Sequence, residues 1–132
     1  MSELHAVAHK MVEKNKGILA ADESTPTCTK RFESINTEST AENRNMYRNI
    51  LFTAKDIEKY ISGVILFDET FHQSELSSGL KIPEYLTSKD ILPGIKVDQG
   101  LENFGSNEKL TKGLDGLSER LGKYYALGAR FA

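Results

Sequence analysis

Three short apolar runs in this 132-residue sequence end in, or contain, ionisable side chains. The runs cover residues 18–21, 61–67 and 92–97, and their lack of polar alternation is typical of parallel strands buried on both faces. Ligands of α/β sheets and barrels bind at the carboxyl ends of the strands. We therefore expect the charged groups to converge on one face, where they could move protons or hold an anion. These groups are Asp22 with Glu23, Asp68 with Glu69, and Lys96 with Asp98.

Lys96 is informative because it lies inside the apolar string of a strand. Lys96 and Asp98 are two positions apart, so their side chains point to the same face. An ammonium group in a packed domain must form an ion pair or serve in binding or catalysis, because an uncompensated buried charge is very costly. Two interpretations remain open. One is a structural ion pair with Asp98 or Asp22; the other is a cation that holds an anionic substrate group or keeps a catalytic carboxylate ionised.

The polar segment after the first predicted strand is a second candidate site. Thr25 as N-cap and Pro26 at the first helical position predict a helix that runs to about Ile35. Backbone N–H groups, hydroxyls and cations at a helix start suit a phosphate group. The same residue types also form ordinary helix caps without any ligand. The polar and basic side chains in question are Ser24, Thr25, Thr27, Lys30 and Arg31.

Simpler structural roles exist for the carboxylates. Asp22 and Asp68 could each cap the helix that follows. Glu23 and Glu69 are expected to be solvated or paired at the rim of the sheet. Cys28 is expected to pack in the core.

Helices alternate with the strands at intervals that suit βαβ units. Helices are predicted over 3–14, over about 26–35 and over 117–127, and Thr40 is predicted to cap another helix with an apolar stripe. A helical turn is predicted over 83–87, a loop over 99–112, and the start of a further strand over 129–132. The stripe consists of Met46, Tyr47, Ile50 and Leu51. The strands are predicted near 18–22, 63–67 and 92–97, in one domain over 1–132 of α/β class, with open sheet and closed barrel both permitted.

Composition excludes several classes of function. Seventeen basic against nineteen acidic residues leave a net charge of −2, so no basic excess exists to bind a nucleic acid. The single cysteine excludes an internal disulfide and indicates a reducing, cytoplasmic compartment. No apolar run approaches the ~20 residues that cross a membrane, and no signal peptide is expected.

His5 and His9 share a helix face but lack a third ligand, so surface histidines rather than a metal site are predicted.

Five strings in order give a resemblance to a known family: GILAADES, ENRNMYRNILFT, GVILFDET, GIKVDQG and GLDGLSER. The chain resembles the class I, Schiff-base fructose-bisphosphate aldolases across essentially all 132 residues. The resemblance implies a TIM (β/α)8 barrel, of which this chain would form about the first three to four βα units. It implies a homotetrameric, cofactor-free and metal-free enzyme that reversibly cleaves fructose bisphosphate, a small phosphorylated sugar, to dihydroxyacetone phosphate and glyceraldehyde phosphate.

The resemblance also assigns roles to particular residues. Asp22 matches a carboxylate that assists proton transfer and orients substrate hydroxyls, and Lys96 matches a lysine that neighbours the imine-forming lysine and interacts with Asp22. Arg44 matches a substrate-binding arginine. Asp68 stands where histidine is frequent. The residues that match positions near a substrate phosphate are Ser24, Thr27, Lys30 and Arg31.

The resemblance places the imine-forming lysine outside these 132 residues. We therefore expect the 132-residue chain alone to be inactive. One alternative is a truncated, non-catalytic binding protein of aldolase origin. Another is a receiver-like phosphoacceptor module, which fits badly because its pocket needs a carboxylate, not Lys96, at the third strand.

Overall fold

Three parallel strands build the sheet that positions the candidate site in residues 2–132, the part of the chain that the computed structural model describes. The strands are β1 (Gly17–Ala21), β2 (Ile61–Leu66) and β3 (Leu92–Ile95), in the spatial order β1-β2-β3. Their register aligns Ala21, Leu66 and Ile95 in one row. Helices connect consecutive strands, so the fold is of α/β class with the predicted alternation.

Six α-helices accompany the strands within the described residues. They are α1 (Glu3–Met11), α2 (Thr25–Glu33), α3 (Ala41–Phe52), α4 (Asp68–Phe71), α5 (Ile82–Ser88) and α6 (Leu117–Ala126), with a short 3₁₀ helix at Ile57–Lys59. None of the helices in residues 2–132 is both long enough and apolar enough to span a membrane.

One face of the sheet carries the hydrophobic core. Val64, Leu66 and Ile95 point to this face and are at most 1% exposed. Helices and loops cover them with the buried side chains of Phe52, Ile57, Phe71, Ile82, Leu86 and Ile91. Apolar burial against this face is therefore the main stabilising contribution.

The opposite face of the sheet is half open, which corrects the expectation of strands buried on both faces. Ile18 is 42% exposed, Ala20 is exposed, and Ile65 and Leu92 are only partly covered. Strand alternation places Asp22 and Lys96 on this face, one position beyond the row of Ala21, Leu66 and Ile95. The candidate site thus lies on the open face at the carboxyl edge of the sheet.

Phe131 covers part of the open face. Its ring lies over Gly63 and Gly94, and its carbonyl accepts a 3.0 Å hydrogen bond from the Ile95 amide. Arg130 N–H donates to the Pro93 carbonyl at 2.8 Å, and Phe131 pairs in parallel with Gly94. A fourth parallel strand therefore begins beside β3, where the sequence predicts a strand to start.

Gly94→Ala is expected to lower the free energy of unfolding by about 1–3 kcal/mol, the usual cost of overpacking. An added Cβ would lie 2.5 Å from Phe131 Cε2, so the ring must leave its position on the sheet. Gly122→Ala is the matched control: it lies inside α6, nothing lies within 4 Å of its added Cβ, and alanine should stabilise the helix by roughly 0.5–1 kcal/mol. Thermal unfolding followed by circular dichroism measures both changes, and equal effects of the two variants would contradict the packing argument.

The predicted ends of the helices need small corrections. The first helix ends at Met11 rather than at residue 14, because the chain tightens into i,i+3 turns and Asn15 adopts a left-handed φ of 66°. The second helix has Ser24 rather than Thr25 as its N-cap. The prediction that Thr40 caps α3 is confirmed, since its hydroxyl accepts from the Asn43 amide at 3.1 Å.

The segment 99–112 is not a plain loop. It contains an antiparallel hairpin of β4 (Leu101–Phe104) and β5 (Glu108–Thr111), with Gly105 in the left-handed region at a φ of 67°. All eight strand residues are exposed. Because neither face of the hairpin packs on the core, its sequence lacks the apolar alternation that would predict strands.

The apolar stripe predicted for α3 is half wrong. Tyr47 and Leu51 are partly buried as expected, whereas Met46 and Ile50 are 54% and 66% exposed. The helix instead buries Phe52 and two polar side chains, Arg48 and Asn49. Hydrogen bonds and an ion pair to distant residues make this burial tolerable, as described below.

Candidate functional site

Asp22 and Lys96 flank Phe67 at the carboxyl edge of the sheet. The Lys96 amide donates to the Leu66 carbonyl at 3.0 Å, so the sheet register continues one residue past β3. Two strand spacings separate Asp22 from Lys96, about 10 Å between their backbones. Both side chains are partly exposed. A ligand that lies across β2 on the open face can therefore contact both.

Lys96 forms its ion pair with Asp98 and not with Asp22. The ammonium group contacts the Asp98 Oδ1 atom, as their shared face predicts. Within residues 2–132, no ion pair joins Lys96 to Asp22, which corrects the interaction that the family resemblance implies. The hydrogen bond from Lys96 lowers the pKa of Asp98 below its ordinary value, and the Gly100 amide adds to this effect. Asp98 therefore stays ionised and holds Lys96 at the edge of the sheet.

The start of α2 presents two hydroxyls beside Asp22. Ser24 Oγ and Thr27 Oγ1 lie 3.1 Å apart, and the hydroxyl of the N-cap residue Ser24 forms no capping hydrogen bond to the helix backbone. Pro26 takes an early helical position and has no N–H to satisfy. Lys30 and Arg31 follow as exposed cations on the same helix. The structure thus places the predicted phosphate-binding residues on one helix, with Ser24 and Thr27 at its start and Lys30 and Arg31 in its last turn.

Glu23 links α2 to α3 through two arginines. Its Oε1 atom contacts Arg31 Nη1 and accepts from the Tyr47 hydroxyl at 3.2 Å. Its Oε2 atom accepts from Arg48 Nη1 at 2.9 Å. Burial acts to raise the pKa of Glu23, but its own backbone amide and the guanidiniums of Arg48 and Arg31 lower that pKa below its ordinary value. Glu23 is therefore an ionised and paired carboxylate, not a helix cap.

Sequence reasoning missed Arg48 and Tyr47. Arg48 is 2% exposed, and its Nη1 atom also lies 3.5 Å from the Sγ of Cys28, which is fully buried as expected. Phe32 packs edge-on against Tyr47 with 5.7 Å between the ring centroids. The only sequence signal was a basic residue amid the apolar positions of an amphipathic helix.

Arg44 lies at the rim with both ends of its guanidinium engaged. Its Nε and Nη2 atoms donate to the two carboxylate oxygens of Glu69 at 2.8 and 2.7 Å, and its Nη1 donates to the Ser39 carbonyl and hydroxyl. The expectation that Glu69 is paired at the rim is confirmed. Arg44 lies one turn before Arg48 on α3, so the same helix faces the site with both arginines.

Asp68 lies at the carboxyl end of β2, directly after Phe67. It occupies the first position of α4 and does not cap that helix with its side chain. It accepts a 2.6 Å hydrogen bond from the Tyr124 hydroxyl of α6. Burial first and the Asp68 carboxylate second raise the pKa of Tyr124 to about 12, so this hydroxyl stays a donor. The bond joins α6 to the carboxyl end of β2.

The described residues contain no cluster of three or more histidine, cysteine or carboxylate side chains that could hold a metal ion. His5 and His9 are both exposed, as predicted.

The family model of class-I fructose-bisphosphate aldolase matches residues 3–132. This chain belongs to the class I fructose-bisphosphate aldolase family. The match confirms the family that the five ordered strings indicate, and it excludes the receiver-like alternative.

Individual aldolases agree closely with this chain. Fructose-bisphosphate aldolase 1 of Toxoplasma gondii is 54% identical over an alignment of 132 positions that covers 98% of this chain and 36% of the relative. A probable fructose-bisphosphate aldolase class 1 of Xanthomonas axonopodis pv. citri is 48% identical and covers 100% of this chain and 40% of that protein.

A solved structure shows the same fold. Fructose-bisphosphate aldolase from Plasmodium falciparum, in complex with TRAP and a small-molecule inhibitor, superposes with a TM-score of 0.93 at 52% identity, and the match covers 98% of this chain and 38% of that one. The chain therefore spans a little over a third of the length of the aldolases that it matches.

Proposed function

We propose that this chain supplies the first strands of a (β/α)8-barrel active site that reversibly cleaves fructose bisphosphate through a lysine Schiff base. The half-open face of the sheet supports this proposal, because a closed barrel turns one face of its strands to an interior filled by side chains. Asp22 and Lys96 would then point into the barrel, and Phe131 would begin the fourth strand.

The observation that carries the proposal is the joint placement of three features at one edge of the sheet. Asp22 and Lys96 occupy the same row of the open face, and the Ser24–Arg31 segment begins directly beside Asp22. A carboxylate, a cation and a phosphate-binding helix start are what a phosphorylated ketose needs for proton transfer and orientation.

The proposed chemistry assigns the covalent step to a lysine elsewhere in the barrel. Its amine condenses with the substrate carbonyl with loss of water, and the resulting iminium accepts the electron pair when the carbon–carbon bond breaks. Asp22 orients the substrate hydroxyls and assists proton transfer. Lys96 supplies positive charge beside the imine. Ser24, Thr27, Lys30 and Arg31 hold a phosphate, and Arg44 contacts the sugar phosphate from α3.

We further propose that the enzyme acts in the cytoplasm as a homotetramer, without metal or cofactor. The free thiol of Cys28 and the small net negative charge suit this setting. The partner is the small phosphorylated sugar, and neither a nucleic acid nor a membrane is proposed.

A hybrid enzyme tests the proposed function. It joins residues 1–132 to the remaining part of the Toxoplasma gondii relative, in place of the 132 matched residues. We expect this hybrid to release dihydroxyacetone phosphate from fructose bisphosphate. A folded hybrid without this activity would show that the chain no longer carries aldolase function, which is the non-catalytic alternative.

Borohydride reduction separates the contribution of this chain from that of the rest of the barrel. With fructose bisphosphate present, we expect mass spectrometry to find a reduced covalent adduct on the hybrid and none on the 132-residue chain alone, because the imine-forming lysine is assigned elsewhere. An adduct on a lysine of the 132-residue chain would overturn this assignment.

A further inference from the structure

We propose that Arg48 is a positioning residue that keeps part of the guanidinium of Arg31 free to bind the substrate phosphate, because it binds one carboxylate oxygen of Glu23 and leaves only the other to pair with Arg31. This inference rests on the proposed function, in which Arg31 contacts a phosphate. Arg48 itself touches no substrate in this proposal. It acts through Glu23.

Arg48 donates hydrogen bonds to two separate groups of Glu23, the carboxylate and the main-chain carbonyl. Its Nη1 donates to the Glu23 Oε2 atom at 2.9 Å, and its Nη2 donates to the Glu23 main-chain carbonyl at 2.6 Å. The side chains of Arg48 and Glu23 are only 3% and 12% exposed. Both the carboxylate and the backbone next to Asp22 are therefore held by one buried guanidinium, with geometry that a lysine could not reproduce.

The hydrogen bonds from Arg48 leave only one carboxylate oxygen of Glu23 to pair with Arg31. That oxygen, Oε1, contacts Arg31 Nη1, which also donates to the Tyr47 hydroxyl at 2.9 Å. Within residues 2–132, the Nε and Nη2 atoms of Arg31 have no hydrogen-bond partner, and the side chain is 53% exposed. One nitrogen anchors the guanidinium while the others face outward.

Competition between two anions explains why this arrangement matters. A carboxylate with both oxygens free forms a two-bond pair with a guanidinium, which is also the geometry that binds phosphate. If Oε2 of Glu23 lost Arg48, Glu23 could take both donors of Arg31 and withdraw them from a phosphate. Arg48 thus keeps Arg31 ordered while some of its N–H donors stay without a partner. An ordered side chain loses less conformational entropy on binding.

Arg48→Met in the hybrid is expected to raise the KM for fructose bisphosphate about tenfold, the order of effect of one charge-assisted hydrogen bond. The inhibition constant of inorganic phosphate should rise by a similar factor, and kcat should change less than KM. Adding Glu23→Gln to Arg48→Met should lower KM again, because a neutral amide competes poorly for Arg31. A purely structural role of Arg48 predicts no such recovery.

Asn49→Ala is the matched control. Asn49 is the next residue of α3 and is 5% exposed, but it binds Asn45, Ser74 and Leu76 instead of Glu23. We expect it to lower the thermal midpoint and to leave KM unchanged. Equal rises in KM for Arg48→Met and Asn49→Ala would overturn the proposal, and so would an unchanged KM in folded Arg48→Met.

Phosphate binding without turnover separates this inference from the proposed function. Inorganic phosphate should raise the thermal midpoint of the wild-type hybrid, and Arg48→Met should weaken this shift. If the hybrid has no aldolase activity but shows this difference, the proposed function fails and the inference on Arg48 stands. If the hybrid is active and both proteins respond equally to phosphate, the inference fails alone.

Discussion

Asp22→Asn in the hybrid enzyme is expected to lower kcat for fructose-bisphosphate cleavage about 100-fold or more, the contribution typical of a positioned acid–base group. The amide keeps the shape of the side chain but can neither accept nor return a proton. Asp22 lies directly after β1, on the open face of the sheet. The measurement is the steady-state release of dihydroxyacetone phosphate.

Glu33→Gln is the control for Asp22→Asn. Glu33 is an exposed carboxylate at the end of α2, on the same helix as Arg31 and away from the strand ends. We expect its kcat to match that of the unmodified hybrid. A loss of less than fivefold for Asp22→Asn would contradict the proposed role, because ordinary local disturbance of a partly exposed carboxylate can produce that much.

Lys96→Met is expected to lower kcat about 100-fold, because the cation beside the imine is lost while an unbranched side chain of similar length remains. Asp98→Asn tests the structural alternative, since it breaks the same ion pair and retains the ammonium group. Because Asp98→Asn leaves the ammonium group in place, it should change kcat only a few-fold, and loss of the surface ion pair should lower the free energy of unfolding by about 0–1 kcal/mol. The double variant should resemble Lys96→Met alone.

The comparison of the Lys96 and Asp98 variants decides between the two interpretations that the sequence left open. If Lys96 serves only the ion pair, both single variants should have equal and small effects on kcat. If Lys96 acts on the substrate or the imine, Lys96→Met should lower kcat far more than Asp98→Asn does. The interaction energy between the two positions in the double-mutant cycle should then be small compared with the effect of Lys96→Met.

The sequence predicted the strands because their apolar runs are dense and local. Its weaker predictions concern surfaces that other parts of the chain decide. The hairpin of β4 and β5 has no core to face, so no periodicity marks it. Met46 and Ile50 have the spacing of core positions in α3, but both are exposed. The buried side of that helix instead carries polar side chains that bind polar partners.

The residues of the candidate site were likewise predictable only where local features of the sequence mark them. Asp22, Lys96 and the Ser24–Arg31 segment could be found because they stand at strand ends and at a helix start, which are local features of the sequence. Arg48 could not be found, since nothing near it in the sequence shows that its partner is Glu23, 25 residues away.

By itself the sequence determined the charged residues at the carboxyl ends of three strands, the α/β alternation and, through five ordered strings, the aldolase family. Only the tertiary structure decided which charges meet. Lys96 pairs with Asp98 because alternate residues of one strand share a face, whereas Asp22 is two strand spacings away. Glu23 and Arg48 meet because packing of α2 and α3 against each other removes water from both side chains, and a buried charge must find a partner across the chain. Arg31 reaches the same carboxylate from the surface.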